Sequence, residues 1–139
     1  MVDELRVRRL LRQAMDTVAF LDEEASADAA IRVQRRWLDS IKYNFIAVIE
    51  CCVDVGQHVC AVQGWGPPDS NADSFAILAA HDVLSREIAD QMARASGFRN
   101  ILVHEYIAVR GDLVVANLSR TGDIRRFVAE IADWLALQR

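Results

Sequence analysis

The side chains of greatest chemical reach in this chain lie in one octet, Arg99-Asn100-Ile101-Leu102-Val103-His104-Glu105-Tyr106, within an otherwise apolar segment. An arginine grips phosphate oxygens through a planar fork that stays charged. A histidine, with an unperturbed pKa of about 6.5, gives and takes protons near neutral pH. A tyrosine adds a hydroxyl that can be bonded or modified. No other stretch concentrates polar chemistry in this way, so phosphate, proton and hydroxyl chemistry are expected to meet here.

A helix over residues 98–107 would advance by roughly 100° per residue. Phe98, Ile101 and Leu102 then form a core-facing side. Arg99 and Tyr106 nearly superimpose on one stripe, Asn100 and His104 lie on another, and Val103 and Ile107 fall between them. Polar groups flanking a narrow apolar strip suit a symmetric dimer, in which a two-fold axis brings both copies of the octet to one cleft.

The elements that must position the octet read as helices. Glycine and proline are scarce, and Gly64-Trp65-Gly66-Pro67-Pro68 is the one strong breaker. Leu5, Leu10, Leu11, Met15, Val18, Phe20 and Leu21 recur at helical spacing over Asp3 to Glu23. A polar turn follows, with Ser26 or Asp28 as N-cap. Periodicity then resumes through Ile31, Val33, Trp37, Ile41, Phe45, Ile49 and Val53, predicting a second helix of thirty residues or more that ends near Val62. Beyond the breaker, Phe75 starts a short helix and Ser85 caps a segment over Arg86 to Ala95. Ser96-Gly97 is expected to interrupt or re-aim the chain, Gly111-Asp112 to turn it again, and a last helix begins near Thr121. The expected fold is all-α: an up-and-down bundle of four to five helices with a long second helix, in a single domain over residues 1–139.

With 139 residues and 53% hydrophobic content the chain can bury a core without disulfide staples. Its three cysteines, Cys51, Cys52 and Cys60, have no zinc-finger spacing and read as reduced packing residues of a cytoplasmic protein. The first residues lack the apolar core of a signal peptide, and the apolar run from Phe45 to Val55, broken by Glu50 and Asp54, reads as too short to span a bilayer. A net charge of −4 argues against a protein that blankets a nucleic-acid backbone, while leaving room for one that engages a few phosphates locally. Lys42 is the only lysine, which reads as genomic base composition.

Outside the octet, Glu50, Asp54 and His58 recur every four residues along the long helix. They could be a metal set, a support for the cleft, or a polar helix–helix seam, with Asp54 the best supporting candidate. No second Glu-x-x-His element completes a carboxylate-bridged metal site, so no metal is expected. Arg6, Arg8, Arg9 and Arg12 read as a solvated face, His81 as a local cap or surface residue, and Trp65 as a loop aromatic packing the break against the bundle.

Gly97-Phe98 followed by Arg99-Asn100-x-x-x-His104-x-Tyr106 resembles the signature of HepT-like HEPN-domain toxins: an arginine, four residues, a histidine, one residue, a tyrosine. The resemblance implies a toxin of a toxin–antitoxin pair: a metal-independent ribonuclease that works as a homodimer and is paired with a minimal nucleotidyltransferase antitoxin. Carried over by position, it implies that Arg99 and His104 are catalytic, that Asn100 is a supporting polar residue, and that Tyr106 is the acceptor of AMP that silences them.

The residue chemistry agrees. RNA cleavage without a metal needs a base for the 2′-hydroxyl, a cation for the phosphorane, and an acid for the departing 5′-oxygen. One histidine does not readily serve as base and acid together, so two copies of His104 across a dimer axis are expected. An anionic nucleotide on Tyr106 would compete for the arginine. The competing expectation is a non-catalytic helical subunit that holds a nucleotide or docks a nucleotidyltransferase. The acidic balance favours that reading, and the intact arginine and histidine favour the nuclease.

Overall fold

Asp3 opens the first helix, its carboxylate accepting from the Arg6 amide and filling one orphan donor of α1, Glu4–Glu24. The computed structural model describes residues 2–138. After α1 come α2 (Ala29–Arg32), α3 (Arg35–Gln63), α4 (Asn71–Ala80), α5 (Arg86–His104), α6 (Gly111–Asn117) and, past a 3-10 turn at Leu118–Arg120, α7 (Thr121–Leu137). Among the described residues there is no strand, and the all-α expectation holds.

Long-range bonds give the register of the bundle. Asp3 meets His58, and Glu24 accepts from the Trp37 indole, so α1 and α3 run antiparallel. Asp22 near the end of α1 meets Thr121 and Arg125 at the start of α7. Ser85 and Glu87 at the start of α5 reach Glu130 and Arg126 of α7. Arg99 meets Glu50 while Tyr106, just beyond α5, meets Lys42 and Asp39, so α5 runs antiparallel to α3, with Phe98 packed edge-on against Phe45. The core between these helices holds Val7, Val18, Leu21, Ile41, Ile49, Phe75, Met92, Leu102, Phe127 and Ile131, all essentially free of solvent. Gly56 lets α4 close on α3: a Cβ there would stand 3.0 Å from Ser74 Oγ.

Three local expectations are corrected. The helix expected to run unbroken from Asp28 to Val62 is two helices. Asp28 caps only the four-residue α2, Arg32 folds back onto the Ala27 and Ala25 carbonyls, and Gln34 is extended before α3 begins. Val33, counted as a core position, is 84% exposed. Ser96-Gly97 does not break α5, because Ser96 is buried within the helix and Gly97 keeps a helical backbone beside open space. Gly111-Asp112 is less a turn than the start of α6. Five helices have ten or more residues, matching the four to five expected, and two short ones accompany them.

At 29 residues α3 is long and apolar enough to cross a membrane by length and composition, contrary to the reading of its apolar run as too short. Half of its most apolar window is buried within the bundle, where it packs against α1, α4 and α5 as the central helix.

Candidate active site

Helix α5 carries Arg99, Asn100 and His104 on its last two turns, and α3 lies alongside it. Arg99 is mostly buried, and its Nη2 stands 2.8 Å from Glu50 Oε2 in an ion pair that is not aligned as a hydrogen bond. Its Nη1 donates to Asn100 Oδ1 at 3.1 Å, and its Nε has no partner although it is shielded from solvent. A donor shielded from solvent without an acceptor is costly, while the rest of this guanidinium stays partly exposed. The fork is therefore held from two sides while part of its donor capacity stays open.

Asp54 sits one turn beyond Glu50 on α3. Burial and the neighbouring Glu50 push its carboxyl above the usual range, against the pull of Arg6 and Arg99. The acidic side chain that pairs with Arg99 is Glu50, one turn before the residue favoured from sequence. His58, last of the row, accepts a hydrogen bond from the Asp3 amide at 3.1 Å and ties the start of α1 to α3. Burial and Arg6 hold its imidazole below the ordinary value, with Asp3 opposing. The row Glu50, Asp54, His58 is thus divided between Arg99 and the α1 terminus. No group of three or more His, Cys, Asp or Glu among the described residues is placed to hold a metal ion.

His104 is the last residue of α5 and is exposed. Around it the chain leaves apolar side chains in solvent: Ile101 at 43%, Val103 at 42% and Ile107 at 90%. Ile101 is half out of the core to which the helical projection assigned it, while Leu102 is fully buried as expected.

Tyr106 is not on a helical stripe with Arg99. Helix α5 stops at His104, Glu105 caps it, and the Glu105 carbonyl accepts from the Ala108 and Val109 amides to turn the chain. Buried Val109 anchors the far side of this turn. Tyr106 is thereby laid back against the start of α3. Its hydroxyl donates to Asp39 at both the backbone carbonyl and Oδ1, each at 3.2 Å. Lys42, only 4% exposed, donates through Nζ to the Tyr106 carbonyl at 2.6 Å and stands 4.8 Å from the ring centroid. Burial and the Asp39 carboxylate raise the phenol above its ordinary value, with Arg35 opposing.

Asp39 escaped the sequence reading, and Lys42 entered it only as a mark of base composition. A signal existed for Lys42: the sole lysine of an arginine-rich chain is where a compact ammonium is needed, since a guanidinium fork would not fit a single buried carbonyl as well. Trp65 and His81, read separately, stack on each other at 3.9 Å, so the loop aromatic packs against a residue at the end of α4.

The fold and this site define a class: all-helical proteins that present an arginine and a histidine from the end of one helix, followed closely by a tyrosine. Residues 6–131 match the family described as Ribonuclease HepT-like, and the chain belongs to that family. It is 35% identical over 77 residues to the mRNA nuclease HepT of Shewanella oneidensis, covering 55% of this chain and 58% of that protein. It is 34% identical over 59 residues to the tRNA nuclease HepT of Aphanizomenon flos-aquae, covering 42% of this chain and 40% of that one. The chain thus spans about half the length of the curated relatives it matches. Its fold matches that of the tri-AMPylated Shewanella oneidensis HEPN toxin in complex with MNT antitoxin, with a TM-score of 0.85 at 24% identity over 96% of this chain and 99% of that one.

Proposed function

We propose that this chain, as a single HEPN-like domain over residues 1–139, is a metal-independent endoribonuclease, the toxin of a toxin–antitoxin pair, acting as a homodimer in the cytoplasm. Arg99 and His104 are its catalysts: Arg99 holds the scissile phosphate and the charge of the phosphorane, and His104 moves the protons. Asn100 steadies the guanidinium, with Asp54 as a supporting acid near it. The observation that carries this reading is the Arg99 guanidinium, held by Glu50 and Asn100 yet 21% exposed, on the same last two turns of α5 as the exposed His104. A phosphate oxygen is the acceptor such a fork fits. The names of the two curated nuclease relatives support the substrate class.

Dimerisation follows from the single motif histidine, since a base for the 2′-hydroxyl and an acid for the 5′-oxygen are both required. The exposed Ile101, Val103 and Ile107 beside His104 give a second copy an apolar surface to cover. Silencing by transfer of AMP from ATP to Tyr106, catalysed by a minimal nucleotidyltransferase antitoxin, is supported by the AMPylated state of the structural relative.

The test is expression of the chain alone against Arg99→Ala and His104→Ala, with cleavage of RNA by the purified proteins in excess chelator. Wild type is expected to arrest growth and cleave, and both variants to lose both properties. If wild type neither arrests nor cleaves, and the variants match it, the alternative stands: a non-catalytic subunit that binds a nucleotide or docks the nucleotidyltransferase, which the net charge of −4 favours.

A further inference from the structure

We propose that Asp39 is the base that takes the phenolic proton of Tyr106 when that hydroxyl attacks the α-phosphorus of ATP. The inference rests on the reading of Tyr106 as the AMP acceptor. It makes the toxin chain a contributor to the chemistry of its own silencing.

Three observations carry it. The Tyr106 hydroxyl points at Asp39 and reaches Oδ1 at 3.2 Å, within the range for direct proton transfer. Lys42, one turn further along α3, donates to the Tyr106 carbonyl at 2.6 Å and stands 4.8 Å from the ring centroid, so the same stretch of helix engages both the backbone and the ring of the residue. Asp39 and Lys42 thus hold the two ends of one residue. Third, the surroundings keep the hydroxyl protonated in the resting protein: burial and the Asp39 carboxylate both oppose the phenolate. A nucleophile held neutral beside a carboxylate needs its proton removed as the new bond forms. On the outer side Arg35, almost wholly exposed, stands 3.5 Å from Asp39 Oδ2 and brings a cation to the place where an anionic triphosphate must approach.

The step balances without an oxidant or reductant. The bond from Tyr106 Oη to the α-phosphorus forms, and the bond from that phosphorus to the oxygen bridging the β-phosphate breaks. Pyrophosphate leaves with the electron pair, and the proton passes to Asp39 and then to solvent. Once the phenol is esterified it has no proton to donate, so its bond to Asp39 is lost and the nucleotide-bearing ring is free to leave the cradle.

The test is single-turnover adduct formation, followed by intact mass, using the full chain with saturating nucleotidyltransferase antitoxin and ATP over pH 6 to 9. Wild type is expected to gain AMP at a rate nearly independent of pH, and Tyr106→Phe to gain none. If wild type gains none, or the phenylalanine variant gains as much, the underlying reading of Tyr106 has failed and this inference falls with it. With that reading intact, Asp39→Asn is expected to slow transfer about a hundredfold at neutral pH and to recover about tenfold per pH unit as hydroxide replaces the carboxylate. Asp39→Glu should restore part of the rate. Transfer by Asp39→Asn at the wild-type rate, or slowed by one constant factor at every pH, would overturn the proposal. A variant-free check guards against misfolding: a wild-type rate that itself climbs tenfold per unit from pH 7 to 9 makes preformed phenolate the nucleophile, which also overturns it.

Discussion

The two ends of one sequence motif are held by two stretches of the same helix, and they are held in different ways. Asp39 and Glu50 are eleven residues apart on α3, about 16 Å along the axis and separated by only about 20° around it, so both face the antiparallel chain of α5 and its continuation. At Glu50 the contact is an ion pair to a guanidinium that retains an unmet donor. At Asp39 and Lys42 the tyrosine has its hydroxyl and its backbone carbonyl both engaged. A cation held from two sides and still partly exposed is placed to meet an anion. Satisfied capacity marks a group held in place, here with its hydroxyl already against the carboxylate proposed to take its proton. The proposed catalytic arginine and the proposed AMP-accepting tyrosine are thus held about three turns apart on one helix.

The largest effect that could break this contrast is at the open end. Arg99→Lys, which keeps the charge and loses the fork, is expected to cut RNA cleavage about a hundredfold or more, close to Arg99→Ala, because a point charge cannot replace bidentate phosphate contacts. Single-turnover cleavage of a defined RNA by each variant decides it. A lysine variant within a few-fold of wild type would mean that charge alone suffices and that the planar fork is incidental.

Next in size is Glu50→Gln. Loss of the carboxylate frees the Arg99 fork to wander and removes a negative charge from the substrate's path, so kcat should fall about tenfold while KM also falls. Steady-state kinetics at fixed salt separate the two. A fall in kcat with KM unchanged would point to Glu50 as a packing residue only.

At the closed end, Lys42→Met should leave α5 intact and loosen the turn after it. Removing a charged hydrogen bond to a carbonyl costs about 2 kcal/mol. Hydrogen exchange is the direct measurement: the Ala108 and Val109 amides, both bonded to Glu105, should lose protection while those of Phe98 to Leu102 keep theirs. Equal loss across α5 would show that the two ends are one cooperative unit.

How far the sequence reveals this contrast depends on the range of the interactions. The octet, the amphipathic α1 and α7 and the long α3 were legible because periodicity and capping are local. The Asp3 and Ser85 boundaries fell where cap chemistry places them, and α7 begins at Thr121 without a side-chain cap, tied there by the Thr121 hydroxyl to Asp22. The break at Val33-Gln34 was hidden by apolar residues on both sides that happened to continue the pattern. The unbroken passage through Ser96-Gly97 was hidden because tertiary packing of Ser96 outweighs a poor local propensity. The cradle of Tyr106 was out of reach for a firmer reason: it joins residues 64 and 67 positions apart, and it exists only because α5 ends at His104 rather than continuing to Ile107. Helical projection past that end put Tyr106 beside Arg99, the arrangement the structure replaces.

The smallest effect concerns whether the acidic row on α3 is one functional unit. Its last member, His58, accepts the Asp3 amide through Nε2 and must be neutral to do so. Burial and Arg6 hold its folded-state value below the unfolded one, so the native state binds its proton less readily than the unfolded chain. The contribution to stability is then fully present above about pH 6.5 and is lost as pH falls through the depressed folded-state value. His58→Gln, which can still accept through its amide oxygen, should flatten the dependence of the melting temperature on pH below about 6.5. RNA cleavage at pH 7.5 should stay within a factor of about two of wild type, since His58 belongs to the α1 terminus and Arg99 to Glu50. A collapse of cleavage in this variant, with the melting curve unmoved, would join His58 to the open end and extend the site by two turns of α3.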